Sequence, residues 1–406
     1  MKLRRLNIKK YKSLKNIEIK FVKNSEREEM NKNYFDSEPL DTIVLIGKNG
    51  TGKTSVLEFI FNFFEIFKLS IFSNDTSIII RNRIAFDSNI GQIEVNLERE
   101  SRFNNFNLSE WVFKNRNNSM NLKDLPRIVY IPVEMNYSEL NNKQQNFIPV
   151  PKFLQKIDSQ VVENIPSYIT TRIMKETLLQ NNITTDKVRE NIFNEFNDLF
   201  RDMNLDIKLK EISPETLLPV FVKDNDKFDI NSLSSGEKQI FLRILSLKML
   251  DINNSVILID EPETSLHPSW QQKIVKLYEK VGKNNQLIIA TQSPFIVGGI
   301  KSENIIIFLR ENGEVKIKYG DEVEEVYGQP VERVLKDIME MSGVRAPEID
   351  EKLEKLREMV DDNKFDTEEY IKEREELGRI LGFDTDLMMI DLDVKKKKRD
   401  RDAENK

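Results

Sequence analysis

Polar and apolar residues alternate at the start of the chain and then give way to continuous apolar runs. Residues 1–21 alternate, which predicts two short strands of an amphipathic sheet. Residues 22–41 are polar and charged and predict a loop. The run Thr42–Ile46 is apolar and predicts a buried parallel strand. After Thr54 the apolar residues recur at helical spacing, so we expect an amphipathic helix there.

The rest of the chain mixes strands and helices. Gln92–Leu97 and Ile128–Val133 predict strands, and helical spacing without sustained heptads predicts a helical insertion after about residue 150. Asn312-Gly313 predicts the turn of a hairpin. The region from about 328 to 382 is charged and helical in pattern. A helix–strand–helix–strand order is predicted at Glu237–Leu250, Val256–Ile259, Trp270–Val281 and Leu287–Ala290.

Composition excludes several kinds of chemistry. The 406 residues carry a net charge of −6, so binding to nucleic acid would need a local basic patch. The absence of cysteine and the single histidine, His267, exclude disulfides, cysteine nucleophiles and multi-histidine metal sites. The sequence has no apolar signal core and no window of roughly 20 apolar residues. We therefore expect a cytoplasmic protein with no membrane partner.

A phosphate-binding motif lies between the predicted strand and helix. GKNGTGKT fits G-x-x-x-x-G-K-[ST] in the strand–loop–helix context that the motif requires. Glycines let backbone N–H groups point at phosphate oxygens, and the helix N-terminus adds partial positive charge. Lys53 supplies an ammonium for the phosphates, and Thr54 a hydroxyl for Mg²⁺. The candidate ATP-binding residues are Gly47, Asn49, Gly50, Thr51, Gly52, Lys53, Thr54 and Ser55.

Two acids end a second buried strand. In VILIDEPE, four apolar residues lead into Asp260 and Glu261. Asp260 is placed to hold Mg²⁺, and Glu261 to take a proton from an attacking water. Alone, such a strand could be structural, but its pairing with the phosphate motif favours the catalytic interpretation.

Two further motifs flank this strand. LSSGEKQ carries Ser234 and Glu237 at the spacing of a capping box, which by itself could be only a helix start. After the strand Leu287–Ala290 comes TQSP, with Gln292 in second place. Glutamine can donate and accept hydrogen bonds but cannot carry a proton.

The motifs GxNGxGKT, LSSGE, ILIDEPE and TQSP, in this order, resemble those of the ATP-binding cassette (ABC) ATPases. The resemblance implies that Ser234, Gly236 and Glu237 complete the ATP site of another copy, so that two heads sandwich two ATPs. It implies catalytic roles for Glu261 and Gln292, with ATP and Mg²⁺ as cofactors. Many cassette ATPases have histidine at the position of Gln292, and because this chain departs from that pattern we expect slow turnover.

The resemblance sets the expected architecture. The fold class is α/β: an ABC ATPase head with a mixed, partly parallel sheet, a β-rich N-terminal part, a helical insertion and a helical C-terminal extension. We expect the head at 1–320, with the insertion at about 150–225. A helical region for assembly or partner binding would cover 321–390, and a charged, disordered tail 391–406.

The opening NIKKYKSLKNIEIKF and the phrases DEPETSLHP and ATQSPFIV are similar to the SMC and RecF branch of these ATPases. The C-terminal part resembles stand-alone ATPase subunits of anti-phage systems such as Septu, PARIS and retrons. That implies a homo-oligomeric switch or scaffold that controls a separate effector, often a nuclease. The alternative is a RecF-like ATPase of DNA repair or maintenance. A transporter-coupled ATPase is a third, weaker reading.

Three smaller features keep two interpretations each. His267 could contact the opposing head or simply begin a helix with Pro268. Asp391 and Asp393 end an apolar run as in a Toprim nuclease strand, but no earlier acidic strand supports that reading. The basic run Lys395–Lys398 could touch nucleic acid, although a solvated tail is the simpler interpretation.

Overall fold

The computed structural model describes two compact units, Met1–Val334 and Leu335–Lys406. The residues it describes are 1–27, 38–72, 82–88, 91–97, 127–135, 140, 152–179, 184–323, 325–339, 341 and 345–404. Residues 28–37 of the predicted loop and 405–406 of the predicted tail lie outside this set.

A mixed central sheet organises the first unit. Among the described residues it has seven strands, and all neighbours are parallel except the pair at one edge, a hairpin that turns at Asn312-Gly313. This confirms the predicted α/β fold class with a partly parallel sheet. In spatial order the strands are β14 (Glu314–Tyr319), β13 (Ile305–Glu311), β3 (Thr42–Gly47), β12 (Gln286–Ala290), β11 (Val256–Asp260), β6 (Ile128–Ile131) and β7 (Leu154–Lys156).

An antiparallel sheet forms the β-rich N-terminal part. The predicted alternation at the start of the chain gives β1 (Lys2–Tyr11) and β2 (Leu14–Lys20). β1 also pairs with β4 (Asn82–Ser88), which the sequence did not predict, and β4 pairs with β5 (Gly91–Leu97). Apolar residues of β1 and β2 share one core with β3 and the helix that follows it.

Helices begin and end close to the predicted positions in the first unit. The helix after the phosphate motif buries Val56, Leu57 and Ile60 against the sheet, because these residues recur on one face. The helices of this unit are α1 (Asn24–Arg27), α2 (Lys53–Phe72), α3 (Ser159–Glu163), α4 (Ile165–Leu179), α5 (Thr185–Asp202), α6 (Ser235–Leu250), α7 (Pro268–Glu279), α8 (Pro294–Val297) and α9 (Val331–Arg333).

The insertion is only partly helical, which corrects the expectation for 150–225. After α5 the chain forms a small antiparallel sheet of β8 (Lys208–Ile212), β9 (Pro219–Lys223) and β10 (Asp226–Asp229). The alternation of apolar and polar residues buries Leu209 and Phe221, and the ring centroids of Phe221 and of Phe241 on α6 lie 5.0 Å apart. A period of two residues was present in the sequence there but was short.

The second unit is a helical cluster, as expected for the C-terminal extension. It contains α10 (Pro347–Asp361), α11 (Glu368–Leu381) and α12 (Thr385–Glu404). α12 runs through residues 391–404, so the prediction of a disordered tail is wrong over that range. The ammonium of Lys397 donates to the carbonyls of Val360 and Asp361, which holds the tail in place.

Other tail cations also have partners within the unit. Lys398 and Arg401 pair with Asp366 at 2.8 and 2.9 Å. Asp391, which suggested a Toprim strand, lies on α12 and accepts both hydrogen bonds of Arg374. The charge run therefore folds because the turn at Asp366 supplies an opposite charge and the end of α10 supplies carbonyl acceptors.

No helix among the described residues is long and apolar enough to cross a membrane.

Residues 320–334 belong with the first unit, since Val326 donates to Ser302 and Gly328 to the carbonyl of Gly298. The predicted boundary at 320 therefore falls before the end of that unit.

Candidate active site

Three parallel strands bring the predicted motifs to one edge of the central sheet. Leu45 of β3 lies beside Ala290 of β12, and Ala290 lies beside Asp260 of β11. The segment after each strand therefore emerges at the same edge, where open α/β sheets bind ligands. The phosphate motif, TQSP and the Asp260–Glu263 turn meet there.

The glycines of the phosphate motif are required by close packing. Gly47 has φ +147°, and a Cβ there would lie 2.3 Å from the carbonyl oxygen of Phe308. Gly52 has φ +99°, and a Cβ would lie 2.5 Å from a methyl of Leu14 in the N-terminal sheet. Such left-handed backbone and close contacts admit only glycine at low cost. The loop thus packs closely against two strands, β13 at Phe308 and β2 at Leu14.

Lys53 is buried at the centre of this loop. Its ammonium donates to the carbonyls of Gly47 at 2.7 Å and Lys48 at 3.1 Å. Burial lowers the pKa of Lys53, while the carboxylates of Glu261, Glu263 and Asp260 oppose that shift. The cation therefore lies among acids and can exchange its carbonyl partners for phosphate oxygens.

The other predicted loop residues have different environments. Asn49 and Gly50 are exposed, whereas Ser55 is half-buried at the start of α2. Thr51 is buried, and its hydroxyl donates to the carbonyl of Lys48 at 2.8 Å. Thr51 therefore stabilises the loop, and its side chain is already engaged there.

Asp260 and Thr54 form the candidate magnesium site. The Thr54 hydroxyl donates to Asp260 Oδ1 at 3.0 Å, and the Tyr130 hydroxyl donates to Oδ2 at 3.3 Å. Burial raises the pKa of Asp260 to about 6, with the nearby Glu261 charge adding to the shift. A buried carboxylate beside a hydroxyl is the oxygen-rich donor set that Mg²⁺ prefers. These residues fit the ion.

Glu261 and Gln292 are in direct contact. The side-chain Nε2 of Gln292 donates to Glu261 Oε1 at 2.6 Å. Glu261 has φ +40°, a left-handed conformation that is uncommon outside glycine and is found at functional sites. Its N–H donates to the carbonyl of Ala290, which ties the turn to β12. The two predicted catalytic residues are thus brought together.

Sequence reasoning missed two residues at this site. Glu263 accepts the backbone N–H of Gln292 at 2.7 Å, and burial raises the pKa of its carboxyl. Tyr130 on β6 reaches Asp260. For Glu263, the sequence signal was that it is the third acid in DEPE. For Tyr130, the only signal was an aromatic residue in a predicted buried strand, which is weak evidence for a place in the site.

The signature residues form the N-terminus of α6. Ser234 and Glu237 make the predicted capping box, with the Ser234 N–H donating to Glu237 Oε2 at 2.9 Å. Ser234 is exposed, whereas Gly236 is buried. A Cβ on Gly236 would lie 2.7 Å from the carbonyl of Ser265 and 3.0 Å from the ring of Trp270. The signature therefore packs on the segment that follows the Asp260–Glu263 turn.

His267 caps a helix, which supports the simpler of its two interpretations. Its side chain accepts from the N–H of Ser269 at 3.3 Å, and Pro268 occupies the first turn of α7. This does not test a contact with an opposing head.

Fold and site together define a P-loop ATPase of the cassette type. The chain belongs to the family described as "AAA domain, putative AbiEii toxin, Type IV TA system", which matches residues 91–298. That match includes the signature, both acids and Gln292, and it begins after the phosphate motif.

Several curated proteins are similar to the chain. "Retron Ec83 probable ATPase" of Escherichia coli is 32% identical over 43% of this chain and 34% of its own length. "Retron Vc95 probable ATPase" of Vibrio cholerae serotype O1 biovar El Tor is 25% identical over 67% of this chain and 70% of its length. "Septu protein PtuA" of Bacillus thuringiensis is 26% identical over 45% of this chain and 50% of its length. The resemblance to retron and Septu ATPases is thereby confirmed.

The chain thus spans a third of the first relative and half of the Septu protein. Among solved structures, the "SMC head domain from Thermotoga maritima" aligns with 79% of this chain and 99% of its own length. The identity is 14% and the TM-score is 0.43.

Proposed function

We propose that this ATPase is the switch and scaffold subunit of an anti-phage defence complex that controls a separate effector, such as a nuclease. Similarity to two retron ATPases and a Septu protein supports the defence setting. The observation that carries the enzymatic part is the meeting of Lys53, Asp260 and Glu261 at one sheet edge. A cytoplasmic location remains part of this proposal.

ATP would be held by the phosphate loop. Backbone N–H groups of the loop and the N-terminus of α2 would face the phosphates, with Lys53 as the charged donor. Thr54 and Asp260 would hold Mg²⁺, which supplies positive charge to offset that of the phosphates. Tyr130 keeps the Asp260 carboxylate oriented through its hydroxyl.

Glu261 would act as the general base. It takes a proton from water as the water oxygen bonds to the γ-phosphorus. The bond from that phosphorus to the β–γ bridging oxygen then breaks, which yields ADP and phosphate. Gln292 holds Glu261 through its amide and cannot itself shuttle a proton. We therefore expect slow turnover.

A second copy would complete the site. Ser234 is exposed at the start of α6, so a helix N-terminus with its partial positive charge is presented to the surroundings. Placed against the γ-phosphate bound by another copy, Ser234 and Gly236 would close the ATP sandwich. Glu237 would keep Ser234 in position through the capping box.

The pairing of heads is tested with variants of this chain. Glu261→Gln should bind ATP, lose turnover and accumulate as an ATP-dependent dimer by mass measurement of the intact complex. Ser234→Arg, combined with Glu261→Gln, should bind ATP and stay unpaired, because the longer side chain blocks the approach. A dimer that forms equally well without ATP, or in spite of Ser234→Arg, would refute the sandwich.

The role in defence is tested by its partners. Purification of the chain from its host should recover a stoichiometric effector protein, and loss of either protein should remove protection against phage. Salt-dependent DNA binding in the absence of any partner would instead favour the DNA-maintenance alternative.

A further inference from the structure

Glu263 is a buried acid that the hydrolysis step above does not use. Its Oε1 accepts the backbone N–H of Gln292 at 2.7 Å. Its other oxygen, Oε2, is buried and has no hydrogen-bond partner within the described part of the chain. Burying a carboxylate is costly unless it is well paired, and hydrogen bonds from the Gln292 N–H and the Thr291 side chain offset that cost.

Both the backbone and the side chain of Gln292 are hydrogen-bonded to the Asp260–Glu263 turn. Its backbone N–H bonds to Glu263, and its side-chain amide bonds to Glu261. Two backbone hydrogen bonds stabilise this turn: the Thr264 N–H donates to the carbonyl of Glu261, and the Leu266 N–H donates to the carbonyl of Glu263. Glu263 therefore fixes the point from which the Gln292 side chain reaches the general base.

Other contacts hold the neighbours of Gln292 independently. The Thr291 N–H donates to the carbonyl of Leu45 at 3.0 Å, and the Ser293 hydroxyl donates to Gln271 Oε1 at 2.6 Å. The loop would thus stay in place without Glu263. Loss of Glu263 would release the Gln292 peptide and the Thr291 hydroxyl, while the Thr291 backbone and Ser293 contacts remain, which separates a positioning role from a general structural one.

We propose that Glu263 is a positioning residue: its hydrogen bond to the Gln292 N–H aligns the Gln292 amide with Glu261 and so sets the rate of the chemical step. This rests on the proposed roles of Glu261 and Gln292. Glu263 acts as a hydrogen-bond acceptor, and ATP binding by the phosphate loop does not depend on it.

The test compares two substitutions of Glu263 in the full-length chain. Glu263→Met fills a similar volume without a strong acceptor, whereas Glu263→Gln keeps an acceptor oxygen. We expect Glu263→Met to lower kcat about 10–100-fold, the usual loss when an outer-shell partner is removed, with KM and ATP affinity little changed. Glu263→Gln should recover most of the parental kcat.

Two controls separate this role from a loss of folding or charge. Glu279 also accepts a side-chain hydrogen bond, from Thr42 at 2.7 Å, but lies outside the site, so Glu279→Ala should keep the parental kcat. In a Gln292→Ala background, Glu263→Met should cause no further loss of kcat, since the residue it positions is gone.

Three results would overturn the proposal: parental kcat in Glu263→Met, a loss in Glu263→Gln as large as in Glu263→Met, or fully additive losses with Gln292→Ala. If Glu263→Met does not fold, Glu263→Ala, alone and in the Gln292→Ala background, supplies the same comparison of kcat. Parental turnover by Glu261→Gln would instead refute the assigned base, which is a separate failure.

Discussion

The side-chain amide of Gln292 donates to the carboxylate of Glu261 at 2.6 Å, so the base and its neighbour are joined within a single chain. A neutral amide supplies this bond without competing for the proton that Glu261 must accept. The isolated head therefore holds its base in a defined orientation before any second copy arrives.

Replacing Gln292 by glutamate tests this contact. Two carboxylates at that distance cannot both be ionised and would share a proton, which removes the free base. We expect Gln292→Glu to reduce kcat by at least about 10-fold at pH 8. The ratio of variant to parental kcat should fall further as the pH falls to 6, because a larger fraction of the pairs then holds the shared proton. A ratio that is constant with pH would show that the two side chains do not interact during turnover.

Asp260 makes the stability of the head depend on pH. Burial raises the pKa of this carboxyl from 3.8 to about 6, so the folded state binds the proton more tightly than the unfolded state. In metal-free protein the free energy of unfolding therefore falls as the pH rises from about 4 to about 6. The full effect is at most about 3 kcal/mol.

Asp260→Asn removes this effect and the metal ligand together. At pH 7.5 without metal, we expect the variant to have a higher Tm than the parent, because no charge is buried. Mg²⁺ with ATP should raise the Tm of the parent more than that of the variant, and the variant should not hydrolyse ATP. An equal response of both proteins to Mg²⁺ would place the ion elsewhere.

Gly236→Ala tests the packing of the signature helix. The added Cβ would lie 2.7 Å from the Ser265 carbonyl, a contact that the backbone must move to relieve. Overpacking of this kind costs about 1–3 kcal/mol, so after a gain of roughly 1 kcal/mol in helix propensity the net loss is up to about 2 kcal/mol. Urea unfolding should show a lower midpoint. Ser235→Ala, at an exposed position in the same turn, should not.

Lys397→Ala tests the folded tail. Its ammonium bonds to the last carbonyls of α10, and the loss of a hydrogen bond from a charged group costs about 1.5–3 kcal/mol when the group is buried and less when it is part-exposed. Hydrogen exchange of the Asn363 and Lys364 amides should speed up. Lys396→Ala, at an exposed neighbouring position, should leave their exchange unchanged.

Local spacing was enough to predict the parts of the site that lie within one motif. The phosphate loop could be predicted from a strand, a loop and a helix in immediate succession. Asp260 and Glu261 could be predicted because they directly follow a short run of apolar residues. The resemblance to cassette ATPases also implied that Gln292 of TQSP would join them at the γ-phosphate. The contact of Glu263 with Gln292 could not be predicted, since it joins residues 29 apart and depends on the register of β11 and β12.

The errors have physical causes as well. Lys397, Lys398 and Arg401 read as a solvated run because their partners lie on other helices and in the turn at Asp366. β8 and β9 were read as part of a helical insertion because five-residue strands carry little periodicity. Tyr130 looked like an ordinary core residue until the position of Asp260 was known.

The two carbonyls that accept from Lys53 bear on substrate selectivity. A molecule entering the loop must displace neutral dipoles from a charged donor, and a multiply charged oxyanion does this far more readily than an uncharged sugar or base. The phosphate loop would then select ligands first by the negative charge of their phosphate groups, before any recognition of adenine. Adenosine should compete poorly with ATP, whereas inorganic triphosphate should compete well.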